Sequence, residues 1–411
     1  MASDPSIERA VPLRRRLGLA LLVLYGTGIT VGAGIYVLIG AVAGHAGVYA
    51  PWSFVVAAAV MTLTVASYAE LSTRFPVSAG EAAYVRAAFQ SRALSTAIGL
   101  LTVVIGVVSS AAVTLGSVGY IQQFIDLPQG LIVVIVTVAL GAVAAWGILE
   151  SVALASVFTI IEVGGLITII VAGIHAGLPI ATTIAHAPPL NAMAISGIGF
   201  GSLLAFFAFI GFEDLANVVE EAKIPHRDIP RAMILTLLVS TILYVLVAAV
   251  AVAVSAGPIE RLSSSSAPLS LVFREVAGVS PATISAIAIV ATLNTTLAQM
   301  TMAARVVYGI ARERKLPAIF ARVHPRTGTP LVATACVAAS IVPLALLVPL
   351  TPLAEGTSLA TLAVFALVNL ALLRLRCRRV PSDIPHVTVP TWVPATGFVT
   401  CVAMMAGALL R

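Results

Sequence analysis

The sequence has 411 residues, of which 60% are hydrophobic and only 10% are charged, and its mean hydropathy is +1.08. Soluble proteins carry roughly 25% charged residues because their surface must be hydrated, so this chain is suited to lipid and not to water. At about 35 residues for each membrane span and its loop, the length allows roughly ten to twelve spans and excludes a large soluble domain. The net charge of +6 does not indicate a nucleic-acid-binding protein, because the basic residues lie in short loops between apolar segments.

Apolar segments of about 20 residues predict transmembrane helices, and the chain has about 11 of them. In chain order, spans one to eleven are 17–43, 48–70, 93–120, 130–149, 152–175, 195–217, 232–255, 281–304, 331–350, 358–374 and 391–410. The segment 266–278 is apolar but short and charged, which predicts an interfacial helix before span eight. The sequence therefore predicts an all-α integral membrane protein with a short cytoplasmic N-terminal tail over 1–16.

The positions of the basic residues predict the orientation of the chain. With a cytoplasmic N-terminus, the cytoplasmic segments hold 20 of the 23 Lys and Arg residues, and only Arg261, Arg274 and Arg411 fall outside. Because positively charged loops stay in the cytoplasm, this distribution places the N-terminus inside. The odd number of spans then places the C-terminus outside.

Span one contains a glycine-rich stretch over 26–36, with the sequence GTGITVGAGIY. Each glycine costs a helix roughly 1 kcal/mol relative to alanine, so four glycines within 26–34 favour a break in the helix. The free N–H groups at the start of the second half-helix would form an anion site that fits a substrate carboxylate. The same spacing of small residues is also typical of close helix packing, and span one alone does not separate the two interpretations.

Span six contains a second interrupted stretch. Glycines at 197, 199 and 201 are followed over 206–214 by the sequence FFAFIGFED, in which a glycine and two carboxylates end the apolar run. Spans one and six hold corresponding positions in two five-span halves of opposite orientation. Interrupted segments at matching positions of two halves predict a transporter binding site near the bilayer midplane.

These motifs resemble those of a known family. Bacterial amino acid permeases of the amino acid–polyamine–organocation superfamily, near its cationic amino acid transporter branch, have motifs similar to 26–36 and to 206–232, which reads FFAFIGFEDLANVVEEAKIPHRDIPRA. The segment 300–330, MTMAARVVYGIARERKLPAIFARVHPRTGTP, resembles the family's cytoplasmic end of span eight. The segment 75–85, FPVSAGEAAYV, resembles the family's loop after span two. The resemblance extends over about 17–375, and many members of the family have twelve or more spans.

The resemblance implies a five-plus-five inverted-repeat fold with discontinuous spans one and six. The first repeat would cover 17–175 and the second 195–375, with an additional C-terminal span over 391–411. In that fold the substrate lies between the two breaks, with its carboxylate on backbone amides and its ammonium group on backbone carbonyls. The residues implied for the carboxylate are Val31, Gly32, Ala33 and Gly34, and those implied for the ammonium group are Thr27, Gly28, Ile29, Phe206 and Ala208. Phe207 would close over the substrate from the outside and Ile210 would line its side-chain pocket, although simple helix packing would also explain the aromatic residues.

A carboxylate inside the membrane is by default a functional hypothesis. Glu162 lies about midway along span five, roughly 18 Å from Glu150 at 1.5 Å per residue. Desolvation at that depth disfavours the charged form, so a proton could bind and leave near neutral pH. The resemblance implies a lysine here in proton-coupled or sodium-independent relatives, and glutamate is a departure from it. We interpret Glu162 as the proton-coupling residue; a structural bond to a helix terminus is the alternative.

Other polar residues in the spans leave the driving ion open. Glu213 and Asp214 follow the break in span six and are predicted to act in gating or to carry the proton. Span eight holds the polar cluster Thr292, Asn294, Thr295 and Thr296. Hydroxyls of this kind could bind sodium, but they also bond back to their own helix, so sodium coupling is the second hypothesis.

The sequence therefore predicts a secondary active transporter, a permease that moves amino acids by alternating access and is driven by protons. The alternatives are an amino acid/polyamine exchanger, a sodium-coupled symporter and, outside the transporters, a channel or receptor. A channel would need a continuous polar lining, for which scattered hydroxyls and three acids are insufficient. An enzyme would need a constellation of His, Cys or paired acids near an interface, which is not evident in the sequence, so the protein is not expected to be an enzyme.

The expected partners are the amino acid substrate and the lipid bilayer, and no cofactor, metal or nucleic acid is predicted. The protein is expected to be a monomer or weak homo-oligomer in the plasma membrane, which is the inner membrane in a Gram-negative cell. Phe207 and Ile210 favour small or medium neutral amino acids. A cationic side chain would instead need Glu213 or Asp214 to face the pocket.

Overall fold

The computed structural model describes residue 15 and residues 17–77, 80–147, 152–254, 259–380 and 384–410, with the side chains of 152–155 excepted. Up to the second helix break, the helices are α1 Leu19–Val31, α2 Gly34–Ala46, α3 Ala50–Arg74, α4 Gly80–Phe89, α5 Arg92–Ile121, α6 Gln129–Trp146, α7 Val152–His175, α8 Ile180–Ala185, α9 Ala192–Phe209 and α10 Asp214–Asn217. The helices that follow are α11 Pro225–Val254, α12 Glu260–Ser263, α13 Pro268–Ala277, α14 Ala282–Arg312, α15 Leu331–Leu347, α16 Leu350–Cys377 and α17 Trp392–Leu409. Short 3₁₀ turns cover Gly47–Tyr49, Val219–Glu221 and Ala318–Ala321.

Every predicted span coincides with helical structure. Span one corresponds to α1 and α2, span six corresponds to α9 and α10, and each of the other spans corresponds to a single long helix. Nine segments of the described chain are long and apolar enough to cross a membrane, and one of them, Gly34–Arg74, joins α2 to α3. The shorter apolar helices are α1 and α15. The predicted all-α membrane fold is confirmed.

Side chains at the helix ends explain where several helices begin. The Ser91 hydroxyl accepts a hydrogen bond from the Leu94 N–H at 3.2 Å and caps α5. The Asn191 side chain accepts one from the Ala194 N–H at 2.8 Å and caps α9. Such caps satisfy N–H groups that have no partner within their own helix. Pro51 lies in the first turn of α3, where its missing N–H would have no partner.

The broken helices lie at the centre of the bundle. The first half-helix, α1, packs against α7 and α11, while α2 and α3 pack against α9, and α14 packs along α5. The largest fully buried side chains include Tyr36, Phe206, Phe209 and Tyr244. Outer helices instead expose apolar side chains, such as Val138 of α6 at 61%. Since lipid is as apolar as these side chains, the arrangement suits a membrane environment.

Four short helices lie between the spans: α4, α8, α12 and α13. The segment predicted as an interfacial helix is helical, as α13, and it buries Leu269, Val272 and Phe273. The segment after span two, interpreted from the sequence as a loop, contains α4. Gly80 has a positive φ of 43°, which turns the chain at the start of α4. The alanine-rich sequence of α4 then favours a helix.

The connection before α17 is bound to the end of α3. Glu70, which is 1% exposed, accepts hydrogen bonds from the Arg376 guanidinium and from the Val389 N–H, the latter at 2.9 Å. The Thr73 hydroxyl accepts a hydrogen bond from the Val387 N–H at 3.2 Å. A buried carboxylate needs such partners, and here they attach span eleven to span two.

Some predictions concern residues outside the described ranges. They are the tail over 1–16 apart from Arg15, the end of span four at 148–149, and the residues Glu150 and Arg411. The division into two inverted repeats stays a prediction.

Candidate functional site

Span one is interrupted between α1 and α2. Gly32 has φ −26° and ψ −95°, outside the helical range, and its N–H donates to the Gly28 carbonyl at 3.1 Å. Thr27, Gly28, Ile29 and Val31 lie in the last turns of α1, Ala33 lies in the break, and Gly34 begins α2. The first N–H groups of α2 have no carbonyl partner within their own helix. The break was predicted by the glycines, and the amides that can face an anion are those at the start of α2.

Span six is interrupted between α9 and α10. Phe206, Phe207 and Ala208 lie in the last turn of α9, and Ile210 leaves the helix with φ −63° and ψ 133°. Gly211 follows with φ 129°, a conformation that residues other than glycine rarely adopt. Its N–H donates to Oε2 of Glu213 at 2.8 Å. The Glu213 carboxylate thus stabilises the backbone of the break.

The two breaks are in direct contact. A Cβ added at Gly34 would lie 2.3 Å from the Cα of Ala208, and one added at Gly211 would lie 2.6 Å from Cγ2 of Ile29. Real Cβ atoms do not approach so closely, so both positions require glycine for the backbones to meet. The glycine-rich stretches therefore have both roles that the sequence suggested: they break the helices, and they allow close packing.

A tyrosine from α11 joins the two breaks. The Tyr244 hydroxyl lies 2.7 Å from the Thr30 carbonyl oxygen and 2.8 Å from the Ala208 carbonyl oxygen. Tyr244 is fully buried, and its ring packs on Phe54 and Phe209 with centroids 5.6 Å and 4.9 Å away. One hydroxyl proton is shared between carbonyls of spans one and six. Sequence analysis did not identify this residue; its only signal is a single hydroxyl-bearing aromatic in the otherwise apolar run 242–252.

Glu162 is fully buried in α7 and faces span eight. Its Oε1 accepts a hydrogen bond from the Asn294 side chain at 3.2 Å, while its Oε2 has no hydrogen-bond partner among the described residues. The Tyr36 hydroxyl of α2 donates to the backbone carbonyl of Glu162 at 2.6 Å. Three residues earlier, the Thr159 hydroxyl donates to the Leu24 carbonyl of α1 at 3.0 Å. Hydrogen bonds near Glu162 thus join α7 to both halves of span one. One carboxylate oxygen of Glu162 has no hydrogen-bond partner among the described residues.

The polar residues of span eight differ in their roles. The Thr292 hydroxyl donates to the Ala288 carbonyl at 2.8 Å, so it bonds back to its own helix, as the alternative to sodium binding predicted. The Thr295 and Thr296 hydroxyls are buried and have no hydrogen-bond partner among the described residues. Thr295 lies against the break, because its Oγ1 would be 2.0 Å from a Cβ at Gly32. The break in span one is therefore in contact with the Thr295 hydroxyl, which has no acceptor among the described residues.

The remaining predicted site residues are buried or half-buried around the second break. Phe206 is fully buried and packs on Phe365 with centroids 5.9 Å apart, while Phe207 and Ile210 are 5% and 7% exposed. Glu213 and Asp214 lie at the start of α10, and Oδ1 of Asp214 accepts a hydrogen bond from the Asn217 side chain at 3.2 Å.

Comparison with known sequences agrees with this architecture. Residues 17–410 match the amino acid permease family. The chain belongs to this family. This confirms the resemblance seen in the motifs, and it identifies a multi-pass membrane transporter and not an enzyme.

The relatives of this permease have names that point to different substrates. The chain is 31% identical to the branched-chain amino acid permease BcaP of Bacillus subtilis, over 91% of this chain and 83% of the relative. It is 29% identical to the vacuolar cationic amino acid transporter 4 of Arabidopsis thaliana, over 90% of this chain and 64% of the relative. Membership of the family therefore establishes amino acid transport as the class of function and leaves the side chain of the substrate undecided.

Proposed function

We propose that this permease is a secondary active transporter that binds an amino acid between the breaks of spans one and six and moves it by alternating access. The contact between the two breaks, bridged by Tyr244, is the observation that carries the proposal. At both breaks backbone groups leave the regular helix at the same place, so an amino acid could bond to both spans through its carboxylate and ammonium groups.

The substrate carboxylate would bind the N–H groups at the start of α2, near Ala33 and Gly34, where the helix dipole favours an anion. Its ammonium group would bind carbonyls at the ends of α1 and α9, including those of Phe206 and Ala208. Phe207 would cover the substrate, and Ile210 would contact its side chain. Since parts of the backbone at both breaks already lie outside regular helix, binding there requires little reorganisation.

The driving ion is proposed to be the proton, carried by Glu162. This glutamate is buried in α7, and its Oε2 has no partner in the described structure. A protonated carboxyl could donate a hydrogen bond from that oxygen toward span one. Glu213, which holds the backbone of the second break, would act in gating together with Asp214. The protein is proposed to lie in the plasma membrane with its N-terminus in the cytoplasm.

Uptake into proteoliposomes tests the function and the driving ion together. We expect saturable amino acid uptake that increases when the outside is acidified and does not require a sodium gradient. Glu162→Gln keeps the size of the side chain but cannot exchange a proton, so its uptake should lose most of the pH dependence. Glu275→Gln is the matched control, since Glu275 forms a surface pair with Arg261 at 3.3 Å.

Three results would contradict parts of this proposal. Full pH dependence in Glu162→Gln would remove the coupling role of Glu162. Uptake that follows a sodium gradient would replace the proton with sodium, for which Thr295 and Thr296 offer unpartnered hydroxyls. Uptake only in exchange for internal substrate would identify an exchanger.

A further inference from the structure

A small cavity lined by both polar and apolar side chains lies beside the break in span six. Its volume is about 30 Å³, and its wall includes Ile210, the residue proposed to contact the substrate side chain. The wall is built from α4, α5, α14 and α16 together with the segment from Ile210 to Asn217. A volume of this size holds a single water-sized group and not a whole amino acid.

Three carboxylates line this cavity: Glu81 of α4, together with Glu213 and Asp214. Each is held in place by one donor, since the Tyr68 hydroxyl donates to Oε1 of Glu81 at 3.0 Å, and Glu213 and Asp214 bond to Gly211 and Asn217 as described above. The described residues of the wall include no Lys, Arg or His. The cavity therefore has several carboxyl oxygens in its wall and no basic side chain among the described residues that line it.

Two further side chains in the wall are acceptors without donors. Gln299 of α14 and Thr361 of α16 are only 4% and 2% exposed, yet Oε1 of Gln299 and Oγ1 of Thr361 have no hydrogen-bond partner among the residues that the structure describes. A buried polar atom without a partner is costly, and native proteins leave few of them. These two atoms, independently of the carboxylates, indicate that the cavity receives a donor that the chain itself does not supply.

We propose that this cavity is a subsite for a primary ammonium group. Such a group has one positive charge, three N–H donors and no acceptor, which complements a wall of carboxylate, amide and hydroxyl oxygens. It is about as large as the water molecule that the volume would hold. Charge-assisted hydrogen bonds of this type are stronger than neutral ones, and they are strongest where water is excluded.

The ammonium group has two sources. The cavity shares Ile210 with the proposed substrate site, so the side chain of a lysine-like or ornithine-like amino acid could place its terminal ammonium there; this assignment rests on the proposed function. A lysine-like side chain in this cavity would mean that the permease prefers cationic substrates, whereas the sequence favoured neutral amino acids. A small free amine has the same chemistry and is the second source.

A matched pair of ligands tests the proposal, because norleucine is lysine without the side-chain ammonium. Affinities for both would be measured by calorimetry on the purified full-length chain. We expect lysine to bind at least about tenfold more tightly than norleucine, as hydrogen bonds between charged groups predict. Glu81→Gln should reduce this preference about tenfold and leave the norleucine affinity unchanged. Glu313→Gln, at an exposed glutamate paired with Lys315 at 2.5 Å, should leave both affinities unchanged.

A second variant separates ligand binding from folding. Thr361→Val keeps the shape of the side chain, and because its hydroxyl has no partner, the fold loses no hydrogen bond. We expect unchanged thermal stability and a several-fold smaller preference for lysine, since one of several acceptors is removed.

The outcomes distinguish this subsite from the proposed function. Equal affinity for lysine and norleucine in the wild type would overturn the subsite while amino acid transport stands. A lysine preference that survives both Glu81→Gln and Thr361→Val would also overturn it, because the ammonium would bind elsewhere. Stabilisation by methylammonium that Glu81→Gln abolishes, without lysine binding, would support the subsite with a free amine as its ligand. If neither methylammonium nor any amino acid binds, the subsite and the proposed function both fail.

Discussion

At the scale of single residues, Tyr244 determines how the two broken helices meet. Its hydroxyl contacts one carbonyl from span one and one from span six, and no water is needed to satisfy either. Carbonyls freed by a helix break are costly inside a membrane unless a donor reaches them. Tyr244 supplies that donor from α11, a helix that has no break of its own.

Tyr244→Phe tests this role. The substitution removes the only donor recorded for the two carbonyls and keeps the ring that packs on Phe54 and Phe209. We expect the free energy of unfolding to fall by about 1–3 kcal/mol, and amino acid uptake to fall with it. Thermal unfolding in detergent and uptake in proteoliposomes measure the two effects.

Tyr308→Phe is the control for this substitution, because Tyr308 lies near the C-terminal end of α14, where the Arg312 guanidinium lies over its ring at 5.9 Å. It should change stability and uptake little. If Tyr244→Phe behaves like this control, the hydroxyl bridge does not organise the site.

At the scale of elements, the breaks depend on backbone contact as well as on unwound helix. Gly34 approaches Ala208, and Gly211 approaches Ile29, closer than any side chain would allow. Gly211 also adopts a φ of 129°. A residue with a Cβ at position 211 would be strained by this positive φ, and its Cβ would also clash with Ile29 of span one.

Gly211→Ala should therefore destabilise the protein by about 1–3 kcal/mol and impair uptake more than stability alone explains. Gly309→Ala is the matched control, since Gly309 lies in α14 with open space where its Cβ would stand. That change should be neutral or stabilising by up to about 1 kcal/mol. Equal effects of the two substitutions in thermal unfolding and uptake assays would contradict the importance of the contact between breaks.

At the scale of the whole molecule, the predicted orientation places the end of α16 in the cytoplasm. The free thiol of Cys377 is exposed there. Cys336 is exposed within the apolar helix α15, and Cys401 is buried. A membrane-impermeant maleimide should label Cys377 in inverted membrane vesicles and not in right-side-out vesicles. Cys377→Ser removes the expected label and is the control. Labelling of Cys377 in right-side-out vesicles would reverse the orientation.

Hydropathy was sufficient to predict the apolar helices of this protein. Each apolar segment corresponds to a helix because a membrane offers the backbone no partners other than its own, so composition nearly determines secondary structure there. The breaks were also predictable, since glycine clusters weaken a helix regardless of its neighbours. The helix α4 was missed, because its ten residues, Gly80–Phe89, are too few and too polar to resemble a span.

What the sequence determined by itself was a bundle of membrane helices, two of them broken, in an amino acid permease. What only the tertiary structure decided was which side chains meet at those breaks. Tyr244 reaches two carbonyls, Asn294 pairs with Glu162, and Glu81 joins Glu213 at one cavity. These contacts join residues that lie far apart in the sequence, so no local pattern encodes them. They follow from the way the helices pack, and that packing places a tyrosine, an amide and the α4 carboxyl group at the site.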